Sequence, residues 1–132
     1  MTTLSRSLSP LVLLVEDDTG LREVVARGLA KAGYLVASAG NRTEAVASAR
    51  ELSPDAVVMD VALPDGEGPD AAREIRDQRG LAAVPVLYVT ARPPSLVKDS
   101  LFPAPVLFKP FSYRQLVAAV RSLLPAGGAP GR

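Results

Sequence analysis

The 132-residue chain contains no cysteine and no histidine. Without thiols it can form no disulfide, no Cys/His zinc site and no cysteine nucleophile, and without imidazole it can build no Ser-His-Asp triad. Neither sign of charge dominates: 15 basic and 14 acidic residues leave a net charge of +1. No Lys/Arg run follows the spacing of a phosphate backbone, so direct nucleic-acid binding is not expected. The start MTTLSRSLSP has neither a charged region followed by a long apolar core nor a cleavage pattern, and no apolar run is long enough to span a bilayer. A cytoplasmic location without a membrane partner is therefore the expectation. Neither G-x-G-x-x-G nor G-x-x-x-x-G-K-[ST] occurs, which weighs against a nucleotide-binding domain.

What is present is a chain of one domain's length, 48% hydrophobic and 22% charged, with enough apolar surface to offset the entropy of ordering. Five short apolar runs, Leu11–Val15, Tyr34–Ser38, Ala56–Met59, Val86–Val89 and Val106–Phe108, read as strands. Their continuous rather than alternating apolar character suggests a parallel sheet covered on both faces. Amphipathic segments lie between them. Leu21, Val24, Val25, Leu29 and Ala32 share a helical face that Gly33 would end. Asn41 and Glu44, and again Ser112 and Gln115, have capping-box spacing, opening a second helix to about Leu52 and a last one with Leu116, Val117, Val120, Leu123 and Leu124 as its stripe. A third helix is expected from about Pro69 to Arg79, with Pro69 in its first turn. The fourth, bracketed by Pro93, Pro94, Pro103 and Pro105, should be short or irregular. The sum is an α/β fold, (βα)5, with a five-stranded parallel sheet between two layers of helices.

In such a sheet the functional residues gather beyond the carboxyl ends of the strands, where loops converge and helix N-termini point. The first strand runs into Glu16, Asp17 and Asp18, the third into Asp60, the fourth into Thr90 and Ala91, and the fifth into Lys109 and Pro110. Acids from two strands converging on one edge repel each other, and a divalent cation would relieve that. Carboxylate oxygens suit Mg²⁺ or Mn²⁺ rather than zinc, and a lysine ammonium with a threonine hydroxyl is what an incoming phosphoryl group needs. Each residue also has a plainer role. Asp60 could be a turn-former, Glu16 to Asp18 could cap the first helix, Thr90 is a good strand residue, and Lys109 could be a solvated strand end.

The ordered set VED, MDVALPDGEG, VTA and FKPF resembles the response-regulator receiver domains of two-component signalling, over roughly Leu11 to Leu124, and this implies a doubly wound sheet in the flavodoxin-like strand order 2-1-3-4-5. The resemblance implies that Asp60 accepts a phosphoryl group, that Asp17 ligates Mg²⁺ directly and Glu16 through water, and that the Ala62 backbone carbonyl is a further ligand. Thr90 and the Ala91 N–H would hold one phosphoryl oxygen and Lys109 another, with a cis peptide between Lys109 and Pro110 and Gly68 where the loop enters the third helix. Asp18 becomes a capping residue. A sensor histidine kinase or a histidine phosphotransfer protein is the implied donor, since the chain has no histidine of its own, and a downstream protein would read the resulting conformational change. Docking would use Thr19 to Glu23 and Phe111 to Tyr113. The implied division is an N-terminal extension at 1–10, the receiver domain at 11–124 and a flexible tail at 125–132. Such a protein is no enzyme beyond its own phosphorylation and slow dephosphorylation. The alternative is a phosphorylation-independent pseudo-receiver that only binds proteins. An aspartate-nucleophile phosphohydrolase is disfavoured because Ala62 stands where its general acid would be.

Two departures from the family pattern stand out. Val106 occupies a position where many receivers carry Tyr or Phe, and this, with the proline-bracketed fourth helix, points to a different output face. Ala62 and Arg92 occupy positions that tune hydrolysis. Ala62 offers no polar side chain to orient an attacking water, so self-dephosphorylation should be slow. Phosphate release from the labelled protein should extend well beyond seconds, and a phospho-form lasting only seconds would contradict this.

Overall fold

The five apolar runs pair as expected into one parallel sheet, β1 (Leu11–Val15), β2 (Leu35–Ala39), β3 (Ala56–Asp60), β6 (Val86–Thr90) and β7 (Val106–Phe108), in the order β2-β1-β3-β6-β7. Numbered among themselves these strands are 2-1-3-4-5. The structure, a computed structural model, describes residues 9–96 and 104–125. Its helices are α1 (Thr19–Lys31), α2 (Arg42–Leu52), α3 (Gly68–Arg76) and α4 (Tyr113–Leu123), and residues 94–96 are also helical. The remainder of the expected fourth helix, most of the N-terminal extension and the tail from 126 lie outside the described residues.

All residues of β1, β3 and β6 are buried, which explains why their sequences do not alternate. Alternate side chains enter two separate cores. Leu13, Val15, Val57, Met59 and Tyr88 pack with Ala45 and Ala49 of α2 and Ala71, Ala72 and Ile75 of α3. Val12, Leu14, Val58, Leu87 and Val89 pack with Val25 and Leu29 of α1 and Leu116 and Val120 of α4. Each fully buried Leu or Val contributes about 1.5–3 kcal/mol, so the two layers dominate stability. Asp55 sets the register of the central pair, accepting from Leu11 N–H at 2.7 Å while its own N–H reaches the Leu11 carbonyl at 2.8 Å.

Several boundaries differ from expectation for local reasons. The second strand starts at Leu35, because the Tyr34 N–H is engaged by the Leu29 carbonyl at the end of α1 and its ring is buried in the second core. Gly33, at φ 105°, makes that exit. Val24 is 64% exposed, because it lies at the margin of the stripe centred on Val25 and Leu29. The third helix stops at Arg76 rather than near Arg79. There the guanidinium turns to the Val84 carbonyl, and Gln78 and Leu81 take up tight-turn hydrogen bonds instead. Ser112 and Gln115 complete a reciprocal capping box. At the start of α2 Asn41 accepts from Glu44 N–H at 2.8 Å, but Glu44 reaches back to Gly40 N–H rather than to Asn41.

The sequence signalled only a Pro/Gly-rich loop after β3. It contains a small antiparallel hairpin, β4 (Ala62–Leu63) with β5 (Gly66–Glu67), that leads directly into α3. Gly68 closes this loop on itself, its N–H donating to the Val61 carbonyl at 2.6 Å. A Cβ there would lie 2.4 Å from the Asp60 carbonyl oxygen and 3.1 Å from Val61 Cα. Both neighbours are backbone atoms of the site strand, so the clash cannot be relieved by a side-chain rotation. Gly68→Ala is expected to destabilise the protein by about 1–3 kcal/mol, read as a lower urea midpoint, while the same substitution at Gly20 in α1, where a Cβ would meet only Asp18 Oδ1 at 3.5 Å, should cost less than that.

Candidate functional site

The topological switch of this sheet lies between β1 and β3, the neighbours from which the chain winds off in opposite directions. Here the acids converge. Glu16 extends β1 by one further ladder bond, its N–H donating to the Ala39 carbonyl at 3.0 Å. Asp60 is the last residue of β3, and its backbone faces Val89 of β6. Glu16, Asp60 and Thr90 are the buried polar or charged residues among those described. One carboxylate oxygen from each of Glu16, Asp17 and Asp60 lies within 4.8 Å of the others. Asp17 is the exposed member.

Lys109 comes from the far end of β7. Its backbone N–H donates to the Thr90 carbonyl at 2.8 Å, and its peptide bond to Pro110 is cis. Nζ then lies 2.7 Å from Asp60 Oδ2 and 2.9 Å from Glu16 Oε1. The remaining oxygens are also engaged. Asp60 Oδ1 accepts from Ala62 N–H at 3.0 Å, and Glu16 Oε2 from Asp18 N–H at 3.1 Å. Burial pushes the Glu16 carboxyl above the usual range, by more than the hydrogen bonds from Lys109 and Asp18 pull it down, and the Asp60 charge adds to the rise. Burial alone would lower the Lys109 ammonium. Its hydrogen bonds to Asp60 and Glu16, and then their charges, outweigh that and hold it above its ordinary value.

Three acids against one ammonium leave the cluster with surplus negative charge and hard oxygen donors on an open side, and this suits a hydrated Mg²⁺. Of the predicted site residues, Glu16, Asp17, Asp60 and Lys109 form one cluster. Ala62 is joined to it through its N–H, with the hairpin placing it opposite Glu67. Thr90 closes β6 with its hydroxyl accepting from Arg92 N–H at 3.0 Å. Asp18 is the N-cap of α1, accepting from Leu21 N–H at 2.9 Å. Val106 is partly buried against the first core, in register with Tyr88.

Three participants carried no signal that spacing could reveal. Arg22 donates to the Glu16 carbonyl at 2.7 Å. Asp65, at the hairpin tip, accepts from Arg42 N–H at 2.6 Å and Thr43 N–H at 3.1 Å, capping α2 from outside that helix and holding the Asp65 carboxyl below its usual range. Glu67 pairs with Arg92 across the site rim. Each is a long-range contact or a side-chain reach set by the fold.

A family model described as response regulator receiver domain matches residues 12–121. The probable transcriptional regulatory protein TcrX of Mycobacterium tuberculosis is 36% identical over 118 residues, 86% of this chain and 49% of that protein. The chain spans about half the length of the curated relatives it matches. Among solved structures, the receiver domain of the sensor histidine kinase PA1611 from Pseudomonas aeruginosa, with magnesium in its active-site cleft, is 31% identical with a TM-score of 0.78, covering 87% of this chain and 97% of that one. Chemotaxis protein CheY4 of Vibrio cholerae is 27% identical with a TM-score of 0.80, covering 88% and 99%.

Removing Lys109 would leave two buried carboxylates facing each other without a counter-charge. Lys109→Ala is expected to destabilise the metal-free protein by about 2–4 kcal/mol, measured by urea unfolding. Added Mg²⁺ should recover part of the loss, because it neutralises the same oxygens, and equal losses with and without Mg²⁺ would contradict this account.

Proposed function

This chain belongs to the family of response regulator receiver domains, and we propose that it accepts a phosphoryl group on Asp60 from a phosphohistidine of a partner protein. The observation that carries the reading is the Asp60 carboxylate at the end of β3. One of its oxygens is held by Lys109 and the other by the Ala62 N–H, beside two further acids. A carboxylate fixed from both sides can approach phosphorus in line without a search through side-chain rotamers.

In the transfer, an Asp60 oxygen forms a bond to phosphorus as the phosphorus–nitrogen bond of the donor imidazole breaks, and the leaving histidine keeps the electron pair and takes a proton. Lys109, already charged and between Asp60 and Glu16, is placed to neutralise phosphoryl oxygen charge. Asp17, Asp60 and the Ala62 carbonyl would hold Mg²⁺ directly and Glu16 through water, and Mn²⁺ would serve in its place. The metal supplies charge neutralisation on the equatorial oxygens when bound. Thr90, whose hydroxyl accepts from the Arg92 N–H, keeps its own hydrogen free to donate to a phosphoryl oxygen, with the Ala91 N–H beside it.

The donor class is a sensor histidine kinase or a histidine phosphotransfer protein. The face it meets is the start of α1, Thr19 to Glu23, together with residues 111–113 at the entry to α4, where Tyr113 is 49% exposed. The phosphorylated form signals to a downstream protein through a shift between two conformations that the phosphoryl group biases.

The test is the intact mass after incubation with a small phosphodonor, with and without Mg²⁺, for the wild type and Asp60→Asn. One phosphate that requires Mg²⁺ and disappears in the variant is the expected result. No adduct under conditions that label another receiver would leave a phosphorylation-independent binding module instead.

A further inference from the structure

The rim of the site carries a contact that the phosphoryl transfer itself does not use. Glu67 and Arg92 meet fork to fork, with Nη1 3.0 Å from Oε1 and Nη2 3.2 Å from Oε2. This two-point geometry fixes the plane of the guanidinium as well as its distance. Each partner is anchored to a different wall of the site. Glu67 stands opposite Ala62 in the hairpin, and the Ala62 N–H holds Asp60 Oδ1 at 3.0 Å. Gly68, the next residue, is held against the backbone of Asp60 and Val61. On the other wall the Arg92 N–H donates to Thr90 Oγ1 at 3.0 Å. The ion pair therefore bridges the loop that positions the phosphoacceptor and the loop that positions the hydroxyl facing it. Its side chains are 39% and 50% exposed, so water competes with the pair and it opens readily.

We infer that Glu67 and Arg92 form an electrostatic clasp across the mouth of the site, in which Glu67 is a positioning residue that withholds Arg92 from an incoming phosphodonor. The inference rests on the reading of Asp60 as phosphoacceptor. A phosphodonor arrives as an anion, and a guanidinium at the rim can attract it and grip two of its oxygens. Paired with Glu67, that guanidinium has its charge cancelled and its outer N–H groups occupied. Without Glu67 the cation is free to recruit the donor, and without Arg92 the bare carboxylate repels it. The two single substitutions should therefore act in opposite directions, although each removes the same contact. A purely structural tie would give losses of the same sign.

The probe is acetyl phosphate at saturating Mg²⁺, with phosphate uptake followed by intact mass. In this reaction the Asp60 oxygen bonds to phosphorus while the acyl phosphate P–O bond breaks, and acetate leaves with the electron pair. Glu67→Gln should load about two- to fivefold faster than wild type and Arg92→Gln slower by a similar factor, with the double variant close to wild type. These differences should shrink at about 0.5 M NaCl, where rim charges are screened. A wild type that takes up no phosphate would overturn the receiver reading and the clasp together. A wild type that loads while both single variants shift in the same direction, or neither shifts, would overturn the clasp and leave the receiver reading standing.

Discussion

The contact on which the site depends is the Lys109 ammonium held between Glu16 Oε1 and Asp60 Oδ2. Two carboxylates that are 3% and 9% exposed could not otherwise be buried side by side, since each would lose hydration and repel the other. The ammonium joins the ends of β1, β3 and β7, so residues far apart in sequence share one electrostatic centre. Its reach depends on the sheet order: β7 is the far edge of that half of the sheet, and Lys109 must extend past Thr90 at the end of β6. The third acid, Asp17, is left exposed, and this surplus negative charge suits the cluster to a divalent cation.

The loop after β3 is the other strongly tied part of the site. Between Asp60 and Gly68 the chain makes a hairpin that is tied at several points. Ala62 bonds back to Asp60, Asp65 caps α2, Glu67 meets Arg92, and Gly68 sits directly on the backbone it follows. The loop that follows Asp60 is thereby tied to the N-terminus of α2 through Asp65 and to the loop after β6 through Glu67. These outer ties are exposed and individually weak. The tie at Gly68 is steric and allows no substitution without a backbone shift. The loop thus combines a rigid root with edges that can rearrange.

Much of this is legible in the chain itself, because burial on both faces leaves a direct mark on composition. The runs LVLLV, AVVM and VLYV are recognisable as central strands from their unbroken apolar character, and the polar residue ending each run marks the edge where the site forms. Helix starts are equally clear where a side-chain cap lies within three residues, as at Asn41 and Ser112. Boundaries shift where a tertiary contact outcompetes local pattern. Tyr34 is drawn out of the strand by its burial near α1, and the end of α3 is set by the reach of Arg76 to Val84. The hairpin of 62–67 is hidden because two-residue strands carry no periodicity, and its stabilising partners, Arg42 and Arg92, lie far away in the sequence.

Local pattern along the chain was enough to set the layer architecture and which residue types stand at the carboxyl edge, since both follow from periodicity and short-range order. Packing in three dimensions fixed which atoms meet: that Lys109 serves both Glu16 and Asp60, that Asp65 caps a helix 23 residues earlier, and that Glu67 and Arg92 close the rim. Those pairings depend on how strands and loops superpose in space, to tenths of an ångström, and hydrogen bonds and ion pairs fall off too steeply with distance for linear spacing to fix them.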